Sequence, residues 1–347
     1  MTILIAGGAG YIGSHVVLAL LSSRNFRKTK FVIMDNLSMG HLEIVKVLQD
    51  CAVDLGQPEV VFEKADLLDS AALDLLFERH KPDVVLHLAA KISVAESVTH
   101  PALYFSNNVT GSQNLLLAMK NHDCKKIVFS STASVYGNID QAMPIVESQA
   151  LMPANPYAES KLNIEQEIEK ASVSWGLKAV IFRFFNASGA SARADLGEWH
   201  EPETHLIPLI LESAIHGKTL HVYGSDYPTR DGTCIRDYIH VDDLASAHEL
   251  GVIRLLKTVP DRPATEIFNL GTEHGTSVLE VIHSVEKICG LKVSVSSAAR
   301  RDGDTAVLVA SNAKAREVLG WKPMLSDMDT IVKTAYDWQK TMNKSHQ

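Results

Sequence analysis

The chain lacks the features that would tie it to a polyanion, a membrane or a disulfide framework. Its 347 residues include 33 Lys or Arg against 41 Asp or Glu, a net charge of −8. That field repels nucleic acid and anionic lipid, which argues against either as the main partner. The four cysteines, Cys51, Cys124, Cys234 and Cys289, form no CxxC and no paired spacing. Free thiols in a reducing compartment follow. No apolar run approaches the roughly 18 residues of a spanning helix. The opening MTILIAGGAGYIG has neither a charged leader region nor a cleavage site. The expectation is a cytosolic protein. With 46% hydrophobic and 21% charged residues it can bury a full core, as one large or two medium domains.

Short apolar runs alternate with amphipathic stretches through the first half. Strands are expected at ILIAG (3–7), FVIMD (31–35), VVFEKAD (60–66), DVVLHLAA (83–90), KIVFSS (126–131) and KAVIFRFF (178–185). Helices are expected from Gly13 to Leu21, over 108–121 and over 155–176, the last entered through an Asn155 cap and an N1 proline, Pro156. Continuous apolar strands alternating with helices imply an α/β fold, a Rossmann-type doubly wound parallel sheet covered on both faces. Beyond about residue 186 the pattern loosens. The expected division is a domain holding the sheet over 1–185 and a smaller α/β domain over 186–347, with parts of the latter returning to the sheet. The tail from Lys340 is expected to fray.

GGAGYIG (7–13) follows the first strand and opens the first helix. Glycines there permit a tight turn, close approach of a pyrophosphate and close packing of helix on strand, while the N–H groups of the helix start face the anion. Asp35 ends the second strand, 22 residues beyond Gly13, where a carboxylate accepts from ribose hydroxyls and repels a 2′-phosphate. NAD is therefore the expected cofactor.

NPYAESK (155–161) places Tyr157 one helical turn before Lys161, and Thr132 in SSTASVYG (130–137) lies 25 residues earlier, at the carboxyl end of the fifth strand. A free phenol ionises near pH 10, too high for a base at neutrality. An ammonium roughly 6 Å along the helix favours the phenolate. Tyr157 is thus expected to carry a proton, with Thr132 holding the substrate hydroxyl.

GxxGxxG, the hydroxyl-bearing fifth strand and YxxxK together resemble the extended branch of the short-chain dehydrogenase/reductase superfamily. RFFNASGA (183–190), YGSDYPTRDGTCIRDYIHVDDLA (223–245), FNLGTEHGTSV (268–278) and RRDGD (300–304) resemble the UDP-glucose 4-epimerase family over essentially the whole chain. The cofactor set this resemblance implies is Gly7, Gly10, Tyr11, Ile12, Gly13, Asp35, Asn36, Asp66, Leu67, Leu88, Ala89, Ala90, Asn107, Tyr157, Lys161 and Phe185. Lys91 stands one position before the lysine of the family's closest members. The substrate set is Thr132, Tyr157, Asn186, His205, Leu206, Val222, Tyr223, Arg236, Arg301, Asp304 and Leu308. Arg236 and Arg301 would clamp the diphosphate, Asp304 the ribose, and Leu308 would border the sugar C2 group. Implied with these are a UDP-hexose substrate, passage through a 4-keto sugar and transient NADH, and a homodimer.

Three rivals share parts of this pattern. Sugar-nucleotide 4,6-dehydratases carry an Asp–Glu pair after the threonine, where this chain has Ala133 and Ser134. A uronic-acid or N-acetylhexosamine epimerase would keep the same triad, and a non-catalytic NAD-sensing scaffold would not need it. HEPETH (200–205) offers two histidines and two glutamates, but without a standard zinc spacing. The expectation there is a solvated loop and no metal.

Overall fold

The computed structural model describes residues 1–138, 144–257, 264–301 and 304–345. The six apolar runs form β1 (Thr2–Ala6), β2 (Lys30–Asp35), β3 (Val61–Lys64), β4 (Val84–His87), β5 (Lys126–Ser130) and β6 (Lys178–Phe184). With the strand Thr265–Leu270 they make one seven-stranded sheet, in the order 265–270, β6, β5, β4, β1, β2, β3. The pairings from β3 through β6 are parallel, with Ile5 of β1 beside both Ile33 and Leu86. Residues such as Ile3, Leu4, Ile5, Val85 and Phe129 are wholly buried, as strands covered on both faces require. Each such side chain contributes about 1.5–3 kcal/mol of hydrophobic stabilisation. Between β4 and β1 the strand order reverses, and doubly wound folds bind ligands at that crevice, outside the carboxyl ends of the strands.

The chain forms two compact units, one of 1–135, 153–183 and 245–268, the other of 136–152, 184–244 and 269–347. A single boundary at 185 is therefore replaced by several crossings. The first unit holds the sheet and a core that includes Phe77, Met119, Ile164 and Ile181. The second is built from short pairings. Asn186–Ser188 lies parallel to Tyr238–His240, and Leu220–Tyr223 parallel to Val295–Ala298. Ile235–Arg236 sits between Thr276–Ser277 and Val307–Leu308. Its core gathers Ile207, Leu211, Val222, Val281 and Ile331 from the helices and strands around it.

Helix starts follow local chemistry. The Pro156–Trp175 helix has Pro156 in its first turn, and its Asn155 side chain accepts from the Ala158 N–H at 2.9 Å. Ser277 and Glu280 form a reciprocal capping box on Val278–Cys289. Two expectations are corrected. The stretch 108–121 is not one α-helix: Phe105–Thr110 is a π-helical turn and the α-helix begins at Gly111. The tail from Lys340 continues the helix Met328–Ser345 through Ser345, a helix whose earlier turns are held by buried Ile331, Val332, Ala335 and Trp338. His346 and Gln347 lie outside the described residues.

Candidate active site

In the first unit the glycines divide the work. Gly7 has φ of +85°, and a Cβ there would sit 2.5 Å from the Ala89 nitrogen. A Cβ on Gly13 would sit 2.0 Å from the Gly7 carbonyl oxygen. Both positions need glycine so that the strand-end loops and helix Tyr11–Ser22 can touch. At Gly10, the N-cap of that helix, a Cβ would meet only the Gly7 oxygen at 3.5 Å. Its missing side chain leaves open backbone at a helix N-terminus whose first turn carries no acid, a fit for a pyrophosphate.

The neighbouring loops are tied to this turn. Leu88 and Ala89 both donate to the Ala6 carbonyl at 2.9 Å. Asp35 accepts from Ala9 N–H at 3.1 Å and from Leu37 N–H at 2.9 Å. Burial pushes the Asp35 carboxyl above its ordinary range, and those two donations oppose the rise. Asn36 donates to Asp66 at 2.8 Å, and Asn114 donates to the Leu67 carbonyl at 3.0 Å. The structure thus gathers Gly7, Gly10, Tyr11, Ile12, Gly13, Asp35, Asn36, Asp66, Leu67 and Leu88 to Ala90 along the carboxyl ends of β1–β4. Asn107 donates to Asn108 at 3.0 Å. Asn108, which the sequence reading passed over, is fully buried and accepts from Lys91 N–H at 2.8 Å. It also donates to the Lys91 carbonyl at 3.1 Å and to Ser160 at 3.0 Å. It fixes the loop beyond β4 to the Tyr157 helix. Nothing in the local pattern of FSNNVT marks it out.

Tyr157 and Lys161 share one face of the Pro156–Trp175 helix, and Thr132 follows the end of β5. Lys161 is buried, donates to the Ser130 carbonyl at 2.8 Å and lies 5.0 Å over the Phe129 ring. Burial lowers its pKa to about 7, against the charge of Glu165, which pulls the other way. Burial also pushes Tyr157 up to about 12, and its hydrogen bond with Thr132 is what opposes the rise. The phenolate expected beside Lys161 is therefore not reached in the protein alone. Desolvation dominates both groups in the protein alone, so a further positive charge is needed to reach the phenolate.

Glu165 continues the same helical face, one turn beyond Lys161. It accepts from Ser131 and from Arg183 Nε at 3.0 Å, and the Glu165 and Arg183 side chains are each 3% exposed. The i, i+4, i+8 spacing of Tyr157, Lys161 and Glu165 was visible in the sequence and would have found it.

In the second unit, Arg236 and Arg301 both meet Asp304, at 3.4 and 3.0 Å, and Arg301 stacks 5.0 Å over the Tyr223 ring. Leu308 lies in register beside Arg236 on the paired strands. Four of the expected substrate residues therefore form one group with Leu308 at its edge. Val222 is buried on the strand that carries Tyr223. Asn186 donates twice to the Asp237 carbonyl, and Phe185 sits just before it. Leu206 begins the Leu206–His216 helix, with His205 as its N-cap residue.

His205 is turned toward carboxylates. The stretch expected to be a solvated loop is folded around Glu198, His200, Glu203 and His205, of which the first three are mostly buried. Glu201, grouped with the histidines from sequence, is exposed, and Glu198 takes its place. Burial raises the Glu198 carboxyl, but the His205 and His200 rings outweigh it and bring it down to about 2. Burial lowers His205, but Glu198 and Glu203 outweigh it and bring it up to about 10.

The GDP-mannose 4,6 dehydratase family model matches residues 4–334. UDP-glucose 4-epimerase of Lacticaseibacillus casei is 44% identical over 98% of this chain and 97% of its own length. A structure of UDP-glucose 4-epimerase from Stenotrophomonas maltophila with bound NAD and formylated UDP-arabinopyranose superposes with a TM-score of 0.91, at 38% identity over 99% of both chains. The UDP-Glc/GlcNAc 4-epimerase of Campylobacter jejuni gives 0.83, also at 38% identity, over 98% of this chain and 99% of its own. Among the described residues no helix is long and apolar enough to cross a membrane. With the glycine cradle, the Thr132–Tyr157–Lys161 group and this likeness along the whole length, the chain belongs to the UDP-glucose 4-epimerase family, within the extended short-chain dehydrogenase/reductase superfamily.

Proposed function

We propose that the chain interconverts UDP-galactose and UDP-glucose as an NAD-dependent isomerase. The observation that carries this reading is the placement of Tyr157, Lys161 and Thr132 at the carboxyl ends of the strands that hold the glycine cradle. Gly7, Gly10, Gly13, Asp35 and Asp66 would hold NAD. When bound, NAD supplies a hydride acceptor and donor and a positively charged ring. Tyr157 takes the proton from the sugar 4-hydroxyl and returns it, Thr132 orients that hydroxyl, and the Lys161 ammonium favours the phenolate while it stays protonated. Arg236 and Arg301 grip the diphosphate as planar donors, and Asp304, which meets both of them, takes the ribose hydroxyls. Anchoring the UDP end leaves the hexose free to present either face. Ala133 and Ser134 after Thr132 supply no acid for elimination, which separates the reading from the dehydratase that names the matched family model.

A cytoplasmic homodimer completes the proposal. A second substrate class is favoured by Leu308, smaller than a tyrosine at the position assigned to the sugar C2 group, and by the Campylobacter jejuni relative named for both UDP-Glc and GlcNAc. UDP-N-acetylhexosamines are then also accepted. The test is to incubate the purified chain with UDP-galactose, without added cofactor, and to separate the products. UDP-glucose should form. A Tyr157→Phe variant should fold, retain NAD and lose about 10²–10⁴-fold in turnover. Wild-type turnover in that variant removes Tyr157 from the mechanism.

A further inference from the structure

The 189–205 loop holds an ionisable cluster that includes His205, a residue the resemblance assigned to the substrate side but whose Nδ1 faces Glu198 and Glu203. One ligand atom from each of Glu198, His200, Glu203 and His205 lies within 4.8 Å of the other three. One oxygen of Glu198 is 2.8 Å from His205 Nδ1 and 3.3 Å from His200 Nδ1. Glu203 Oε1 is 2.9 Å from His205 Nδ1, and Glu203 Oε2 is 3.8 Å from His200 Nδ1. Each imidazole nitrogen therefore faces both carboxylates. A ring N–H points in one direction, so separate hydrogen bonds do not require this convergence, whereas a shared centre does.

From these contacts we propose that Glu198, His200, Glu203 and His205 bind one divalent transition-metal ion, zinc by preference, as a structural clip. Zinc bonds of about 2.0–2.2 Å place tetrahedral ligands about 3.4 Å apart, within the 2.8–3.8 Å observed for the nitrogen–oxygen pairs. Two imidazoles and two carboxylates suit zinc better than calcium or magnesium, which take oxygen ligands. Four protein ligands close the coordination sphere, the mark of a structural site. Once the ion has displaced protons from the two Nδ1 atoms, two carboxylates, two neutral rings and a dication sum to zero charge, which lowers the cost of burying Glu198, His200 and Glu203, whose side chains are 7%, 9% and 13% exposed. His205, 42% exposed, leaves the ion a way in.

The ligands are held by their surroundings. Glu203 Oε1, which faces His205 Nδ1, also accepts from the N–H groups of Thr204 and His205 at 2.7 and 2.8 Å, and this holds Oε2 toward His200. Trp338 Nε1 donates to the Glu198 carbonyl at 2.8 Å. Gly197 lets the Trp338 ring lie where a Cβ would be 2.4 Å away. Such support orients first ligands and tunes affinity. The clip would fasten the loop to the start of the Leu206–His216 helix, and it stands independently of the epimerase reading.

The test uses the full chain, stripped with a chelator and titrated with zinc. Elemental analysis should find about one ion per chain, and the melting temperature should rise by about 5 °C or more. Cobalt(II) should give the intense visible absorption of a four-coordinate ion. Glu198→Gln and His200→Asn should each weaken zinc binding at least about tenfold and remove the thermal shift, with far-UV circular dichroism retained. Wild-type protein that takes up no zinc and melts at the same temperature with and without it overturns the proposal, whatever the variants do. Unchanged zinc binding in both variants overturns it too, because the ion would then sit elsewhere.

Discussion

The Pro156–Trp175 helix and the 189–205 loop both assemble ionisable side chains, by different routes. On the helix, Tyr157, Lys161 and Glu165 stack at successive turns, so the backbone period alone brings them to one face. In the loop, Glu198, His200, Glu203 and His205 meet through irregular backbone held by Trp338 and by the cap of the next helix. A regular element makes a site from spacing. An irregular one makes it from contacts that lie far apart in the chain, as the 140 residues between Glu198 and Trp338 illustrate. The two sites differ in charge logic as well. The helix buries its lysine with a glutamate that is itself paired to Arg183, whereas the loop sets two carboxylates against two imidazoles.

That contrast can be tested, beginning with the largest effect on stability. Glu165→Ala should cost about 3–5 kcal/mol, because it leaves Arg183 charged and buried without its carboxylate. Replacing both residues by leucine should recover much of that loss, since an apolar pair of similar volume avoids desolvating two charges. Urea denaturation of the single and double variants would decide this. A single variant as stable as the parent would mean that the pair is not what anchors the helix face.

A smaller, pH-dependent effect is expected at Lys161. Its folded pKa of about 7 lies below the 10.5 of an ordinary exposed lysine. Between those limits the unfolded chain carries a proton that the folded chain does not, so stability should rise as pH climbs through that window and level off below pH 7. Lys161→Met should flatten that slope. Urea midpoints at pH 7 and pH 9 for both proteins give the measurement, and equal slopes would contradict the assigned burial.

The smallest stability change is expected in the second unit. Asp304→Asn should shift unfolding by less than about 1 kcal/mol, because Arg301 is exposed and Arg236 keeps its bonds to the Ile235 and Thr305 carbonyls. The same substitution should weaken UDP binding by about tenfold or more, because it removes the carboxylate that takes the ribose hydroxyls. Calorimetric titration with UDP separates the two effects. A large loss of stability with unchanged UDP affinity would turn that group from a ligand clamp into a structural tie.

Much of the fold was legible because burial on both faces of a parallel sheet leaves continuous apolar runs. β1, β2, β4, β5 and β6 were readable to within a residue or a few. The glycine turn, Asp35, Tyr157 and Lys161 were readable because each sits at a fixed offset within a regular element. Asn108 was not, since its role depends on the Lys91 loop and Ser160 arriving at the same place. The π-helical turn was also hidden, because its pattern of apolar residues differs little from that of an α-helix. The helix that runs into the tail went unread because Trp338, on its buried face, has its partner 140 residues away.

The sequence by itself determined the sheet, the glycine turn and the order of the proposed catalytic groups, because periodic burial and fixed spacing are written locally. Only the tertiary structure decided how acidic Tyr157 and Lys161 are, which carboxylate supports them, and which glutamate joins His200 and His205. Desolvation and long-range contact set those outcomes, and neither is a property of neighbouring residues in the chain.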